Sequence, residues 1–278
     1  MLTLYSPAKI NLFLKILSKQ SDGYHRLATL MQTIRLADVL HISLADWDEL
    51  TCTDPSIPTD DSNLILKAAK LFRAISGLSV GIKVHLEKKI PHQAGLGGGS
   101  GNAATTLWAL NELTGKKLST QELLRSSEKI GSDVPFFFSQ GTALCTGRGE
   151  IVQSLAPFSN QPVTIIKPQE GLATAQIYGK LDLKEIGKED PDLLLASFMD
   201  PQQAPILVND LEKPAFSCLP MLEDLKRQLQ KSGFKSVLMS GSGSAFFCLG
   251  HANIHLLKGM FYCQTSFLNR SPGSWYSV

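Results

Sequence analysis

The chain has 278 residues, 43% of them hydrophobic and 19% charged, an ordinary globular balance with room for one large domain or two modest ones. A formal net charge of +2 gives no electrostatic case for nucleic acid or a membrane surface as the main partner. The five cysteines, at 52, 145, 218, 248 and 263, are odd in number and lack C-x-x-C spacing, which argues against a zinc site or disulfide framework and for buried thiols in a reducing compartment.

Leu2–Leu17 reads as a strand with a break at Ser6-Pro7. MLTLYSPAKINLFLKI has no basic region before a long apolar core, so no secretion signal is expected. No run nears the roughly 20 apolar residues of a membrane span. The expected location is the cytoplasm. After the turn residues Ser21-Asp22-Gly23, apolar positions at Leu30, Ile34 and Leu40–Leu44 suggest strands. Asp46–Asp61 reads as a loop or weak hairpin. A helix follows, with a capping signal at Asp61 or Ser62 and a stop at Gly77. Val80, Ile82, Val84 and Leu86 alternate as in a half-buried strand.

Next comes PHQAGLGGGSGNAA, Pro91–Ala104, and then a helix expected over Asn102–Leu113. A second helix starts at Ser119, with Glu122 completing a capping box. SDVPFFFSQGTALCTGRGEIVQSL reads as loop and strands, and PVTIIKP as a buried strand. From Thr174 the chain is helical in pieces, with a polar linker around Lys180–Pro191. MLEDLKRQLQKSG is a helix, and SVLMSGSGSAFFCLG is strand, Gly/Ser turn, strand. The class is α+β, with a boundary near 150–165 and expected domains 1–155 and 156–278.

Six of the seven residues from Gly95 to Gly101 are Gly or Ser. Glycine permits positive φ and close backbone approach. Between a strand and a helix, such a loop collects free N–H groups at the positive end of the helix, a site suited to phosphate. A hinge is the plainer alternative. Neither familiar phosphate motif fits. No Lys follows the glycines, as a P-loop requires, and G-x-G-x-x-G fails at Ser100 or Asn102.

Three stretches together resemble the GHMP kinases: SPAKINLFLKI, the glycine loop, and VLMSGSGSAFFCLG. With DGYH and GSDVPFF they span residues 6 to 250. The resemblance implies a two-domain GHMP kinase fold. Its N-terminal, ATP-binding and catalytic domain would be ribosomal protein S5 domain 2-like, and its C-terminal domain ferredoxin-like. It implies ATP and Mg2+ as cofactors. The implied acceptor is a small molecule, 4-diphosphocytidyl-2-C-methyl-D-erythritol, phosphorylated on its 2-hydroxyl in non-mevalonate isoprenoid biosynthesis. The chain would act as a monomer or homodimer.

Phosphoryl transfer is mainly positioning and charge neutralisation. Lys9 would otherwise read as a surface charge, but it matches the family's catalytic Lys. Asn11, two residues on, shares its face if the segment is a strand, and is assigned to the substrate. Asp133 could be a simple helix cap; by resemblance it is the group that accepts or orients the hydroxyl proton. Pro91, Gly95, Leu96, Gly97, Gly98, Gly99, Ser100 and Gly101 would hold ATP. Tyr24 and His25 would hold the cytosine, with Thr174 and Tyr178 adding a contact and a second ring.

Two departures stand out. Gly101 replaces the family's second loop Ser, leaving only Ser100 to supply a hydroxyl. HQAG replaces a Gly-rich lead-in, and His92 in it reads as a surface residue or as a neighbour of the nucleotide. The rivals are a GHMP kinase for homoserine or mevalonate, which needs no base stack, and a nucleotide-binding regulator that has lost catalysis. Lys9 and Asp133 are both present, which argues against the second.

Overall fold

The computed structural model describes residues 1–277 except 201, 203, 235 and 253–258. Two strands organise its first half. β1 (Leu2–Lys19) and β2 (His25–Ala45) pair antiparallel, from Leu2 opposite Ile42 to Lys19 opposite His25. From Ser6 to Ile16 every residue of β1 is buried. A strand covered on both faces shows no alternation, so its periodicity is faint in sequence. The break expected at Ser6-Pro7 is a register shift between Pro7 and Ala8, and β1 runs through it. The strands suggested after Gly23 are one strand of 21 residues.

On its other edge β2 is shared. Its first half pairs with β5 (Thr142–Gly147), which carries β6 (Ile151–Ser154). Its second half pairs with β4 (Gly81–Glu87). β3 (Glu49–Cys52) lies parallel to β4, to which it connects through α1 (Leu64–Ser76); the segment expected as a loop or weak hairpin over Asp46–Asp61 is loop and turn around this short strand, and β3 forms no hairpin. The α1 cap is Asn63, whose side chain accepts the Ile65 N–H; Asp61 and Ser62 do not cap it. Gly77, at φ 72°, ends it.

Helix α2 (Gly98–Leu113) begins four residues before the expected start, so the last glycines of the loop form its first turn. Gly101–Asn111 is buried on every side, packed between α1 and the β1–β2 face. α3 (Thr120–Ser127) carries the capping box of Ser119 and Glu122.

The second half is a four-stranded antiparallel sheet in the order β10-β7-β9-β8. It comprises β7 (Pro162–Lys167), β8 (Val237–Met239), β9 (Phe246–Leu249) and β10 (Phe261–Ser266). α4 (Thr174–Gly179), α5 (Pro191–Met199), α6 (Glu212–Cys218) and α7 (Met221–Lys231) accompany it. Leu222, Leu225 and Leu229 of α7 share one core with Val237, Met239 and Phe246. After β10 the chain returns to the first half: the Leu268 N–H donates to Thr33 O at 2.9 Å, and Trp275 stacks on Trp108. All five cysteines are free; Cys145 and Cys248 are buried, whereas Cys52, Cys218 and Cys263 are partly exposed, against the expectation of buried thiols throughout.

Candidate active site

A cleft of about 1520 Å³ runs between the glycine loop, the β1–β2 region and the Gly/Ser turn of the second half. Single ligands commonly occupy about 300–1,000 Å³, so this volume suits two substrates side by side.

The loop forms one wall. Pro91, Gly95, Leu96, Gly97, Gly98, Gly99 and Ser100 all line the cleft. Gly97 caps α2 in the left-handed region and no side chain caps the helix, so its first-turn amides are free to meet an anion. A Cβ on Gly95 would lie 1.9 Å from Ser240 O, so the loop and the second-half turn touch where only glycine fits. Ser240 Oγ donates to Gly95 O at 2.9 Å, and the Lys9 N–H donates to Leu96 O at 2.9 Å. Below the loop, the fully buried Asp38 accepts from Lys88 Nζ (2.8 Å), Asn102 Nδ2 (3.1 Å) and the Lys89 and Ile90 N–H groups. That carboxylate ties β2, the end of β4 and α2 together.

Gly101 is the exception in the loop. It is buried away from the cleft, and its N–H donates to Gly97 O at 2.8 Å within the helix. A Cβ at this position would face Pro7 O and Ser6 Oγ of β1 rather than the cleft. His92 is exposed at the cleft rim.

Lys9 and Asp133 meet at the floor, Nζ to Oδ2 3.3 Å. The Lys9 side chain is 4% exposed and that of Asp133 31%. Asn11, on the same face of β1, accepts from Lys9 Nζ at 2.7 Å and donates from Nδ2 to Thr29 Oγ1 at 2.8 Å. It is 1% exposed, so the structure makes it a partner of Lys9 first. Asp133 sits just before the 3-10 turn Pro135–Phe138, whose three Phe rings are buried in the core. Core packing thus anchors an acidic group at the cleft edge.

The far end is aromatic. Tyr178 lies 5.3 Å from the His25 ring, centroid to centroid, tilted by 32°. Burial first, then the nearby Lys19, pushes the His25 pKa below its ordinary value, and burial, then Asp133, pushes that of Tyr178 up. Tyr24 is 56% exposed, with the Arg148 guanidinium over its ring. Both tyrosines line the cleft, but each ring has a partner of its own. Thr174 Oγ1 lies 2.9 Å from Ser242 Oγ, which joins α4 to the Gly/Ser turn.

Three residues of the site went unread in sequence. Ser240 sits in the noted SGSGS, but its reach to Gly95 depends on how the two sheets meet. Arg148 stands between two glycines in TGRGE, a visible signal. Asp38, in LADVL between Arg35 and His41, belongs to no motif that would point to the loop.

Models of the GHMP kinases N terminal domain and of the GHMP kinases C terminal match residues 63–141 and 183–254. A 4-diphosphocytidyl-2-C-methyl-D-erythritol kinase of Protochlamydia amoebophila is 50% identical over 275 residues, covering 99% of this chain and 93% of that protein. The crystal structure of a 4-(cytidine 5'-diphospho)-2C-methyl-D-erythritol kinase superposes with a TM-score of 0.79 at 31% identity, over 96% of this chain and 99% of the other. A homoserine kinase from Cytophaga hutchinsonii superposes with a TM-score of 0.68 at 19% identity, over 90% and 85%, a likeness of fold alone.

Proposed function

Because the chain belongs to the GHMP kinases, and within them to the 4-diphosphocytidyl-2-C-methyl-D-erythritol kinases, we propose that it transfers the γ-phosphoryl group of ATP to the 2-hydroxyl of 4-diphosphocytidyl-2-C-methyl-D-erythritol. One observation carries the residue assignment: the Lys9–Asp133 pair lies in the same cleft as a glycine helix start and an aromatic cluster.

The free amides of Gly98, Gly99 and Ser100 hold the ATP phosphates. The acceptor's cytosine lies against Tyr24, His25 and Tyr178, with Thr174 at the edge. That leaves its hydroxyl near Lys9 and Asp133. The Lys9 ammonium, aligned by Asn11, neutralises charge as it develops on the transferring group. Asp133 accepts or orients the hydroxyl proton. Two catalytic charges alone would suit homoserine or mevalonate as well; the aromatic end of the cleft favours a base-bearing acceptor.

Mg2+ fits this donor set. Among the described residues no group of three His, Cys, Asp or Glu could hold a metal ion unaided. Mg2+ in such sites keeps several waters and takes one or two protein oxygens beside substrate phosphates. Ser100 Oγ is a cleft oxygen that would hold it beside the ATP phosphates, where it would supply charge neutralisation, while Asp133 stays paired with Lys9.

We take residues 1–155 as the ATP-binding and catalytic domain and 156–278 as the second domain. The first sheet ends at Ser154 and the second begins at Pro162, which supports this division. Five free thiols suit a reducing cytoplasm. Among the described residues, no helix is long and apolar enough to cross a membrane.

Phosphorylation assays with the cytidine acceptor, homoserine and mevalonate test the assignment. Turnover is expected with the first; turnover only with the other two overturns it.

A further inference from the structure

We propose that Arg148 is a positioning residue for acceptor recognition, acting through Tyr24; this rests on reading the cleft as the site of a cytidine-bearing acceptor. Arg148 lies in the turn between β5 and β6, closed by the Gly149 N–H on Thr146 O at 3.0 Å and by the Arg148 N–H on Glu150 Oε2 at 2.6 Å. The turn borders the catalytic pair: a Cβ at Gly149 would lie 3.6 Å from Asp133 Oδ1. Arg148 Cζ sits 4.1 Å from the centroid of the Tyr24 ring. Arg148 Nη2 donates to Asp22 Oδ2 at 3.1 Å. The other oxygen of the same carboxylate accepts the Tyr24 N–H at 3.0 Å. Asp22 therefore grips Tyr24 from both sides, holding its backbone directly and the cation on its ring.

Stability does not account for this arrangement. Arg148 and Asp22 are each 44% exposed at the side chain, and an exposed ion pair of this kind contributes little to folding. Its effect is local. An exposed tyrosine on a turn can rotate freely, and a ligand that stacks on it must bear the loss of that freedom. A guanidinium on one face fixes the ring before the ligand arrives and leaves the opposite face for a base.

The test is kinetic. Arg148→Ala should raise the acceptor KM roughly two- to fivefold, the range expected from an exposed cation–π contact. The KM for ATP, kcat and the melting temperature should move little. Arg148→Lys should recover part of the loss, because it keeps a cation but not the planar fork to Asp22. In a Tyr24→Ala background, Arg148→Ala should add nothing, because the two residues act as one. An unchanged acceptor KM in Arg148→Ala overturns the proposal. So does an equal rise in both backgrounds, which would put Arg148 on the acceptor rather than on Tyr24. A wild-type chain inert toward the cytidine acceptor overturns the functional reading, and this proposal with it.

Discussion

Lys9 Nζ stands 3.3 Å from Asp133 Oδ2, and Asn11 Oδ1 holds the same ammonium at 2.7 Å. Strand β1 fixes the cation while the core Phe cluster fixes the anion, so neither depends on a mobile loop. In the proposed reaction, Asp133→Ala removes the group that meets the hydroxyl. Turnover should fall about 10²- to 10⁴-fold, while a non-hydrolysable ATP analogue still binds in a calorimetric titration. Lys9→Ala should fall comparably, and the double variant should be little worse than either single one, because the pair acts as a unit. Near-normal turnover in Asp133→Ala would remove it from the mechanism.

His25 supplies a pH prediction. Burial and the Lys19 charge hold its pKa below the ordinary 6.5. The folded form thus binds its proton less readily than the unfolded chain. The contribution of neutral His25 to stability is intact above about 6.5 and is lost as pH falls through the lower folded value. An NMR titration should place the His25 midpoint below 6.5, and the acceptor KM should rise on the acid side of that midpoint. A midpoint above 6.5 would contradict the burial argument.

Local signals carried much of the fold. The alternation of Ile82, Val84 and Leu86, the Ser119–Glu122 capping box and the Gly77 stop each rest on neighbours in sequence, and each has its counterpart in the structure. β2 escaped as a single strand because burial on both faces erases the period. The α1 cap moved to Asn63 because Ser62 turns its hydroxyl back to Asp60 at 2.6 Å. α2 starts four residues earlier than its glycines suggest, because the helix body buried from Gly101 onward extends back over the less buried Gly98, Gly99 and Ser100 against their weak propensity. In the site, the shared face of Lys9 and Asn11 followed from strand periodicity. Ser240 reaching Gly95, and Asp38 under the loop, follow only from how distant segments meet.

Lys15 was not singled out in sequence, yet it is 3% exposed at the side chain. Its ammonium meets Asp210 Oδ1 at 3.0 Å, Glu189 Oε2 at 2.8 Å and Gly187 O at 2.7 Å. Burial raises the Asp210 pKa. Lys15→Met leaves that carboxylate buried with the Ile16 N–H still on it, and should cost about 3–5 kcal/mol in urea unfolding at neutral pH. The cost should shrink on acidification, because a buried carboxyl is better tolerated once protonated. Adding Asp210→Asn should restore part of the stability. A cost below about 1 kcal/mol would show the cluster to be solvated.

Gly101→Ser restores the hydroxyl that the glycine loop lacks relative to its family, and the fold determines where that hydroxyl would go. A Cβ at 101 would lie 2.9 Å from Pro7 O, 2.9 Å from Ser6 Oγ and 3.4 Å from the Phe137 ring. The Pro7 carbonyl is backbone inside β1 and cannot swing aside. Ser6 Oγ is buried without a hydrogen-bond partner, and meeting it would require α2 to move off the strand. The new side chain would therefore press α2 away from β1 rather than reach the phosphates. Overpacking of this kind costs about 1–3 kcal/mol, which thermal unfolding would register. Affinity for an ATP analogue should not improve. Tighter nucleotide binding with unchanged stability would mean that position 101 faces the cleft after all.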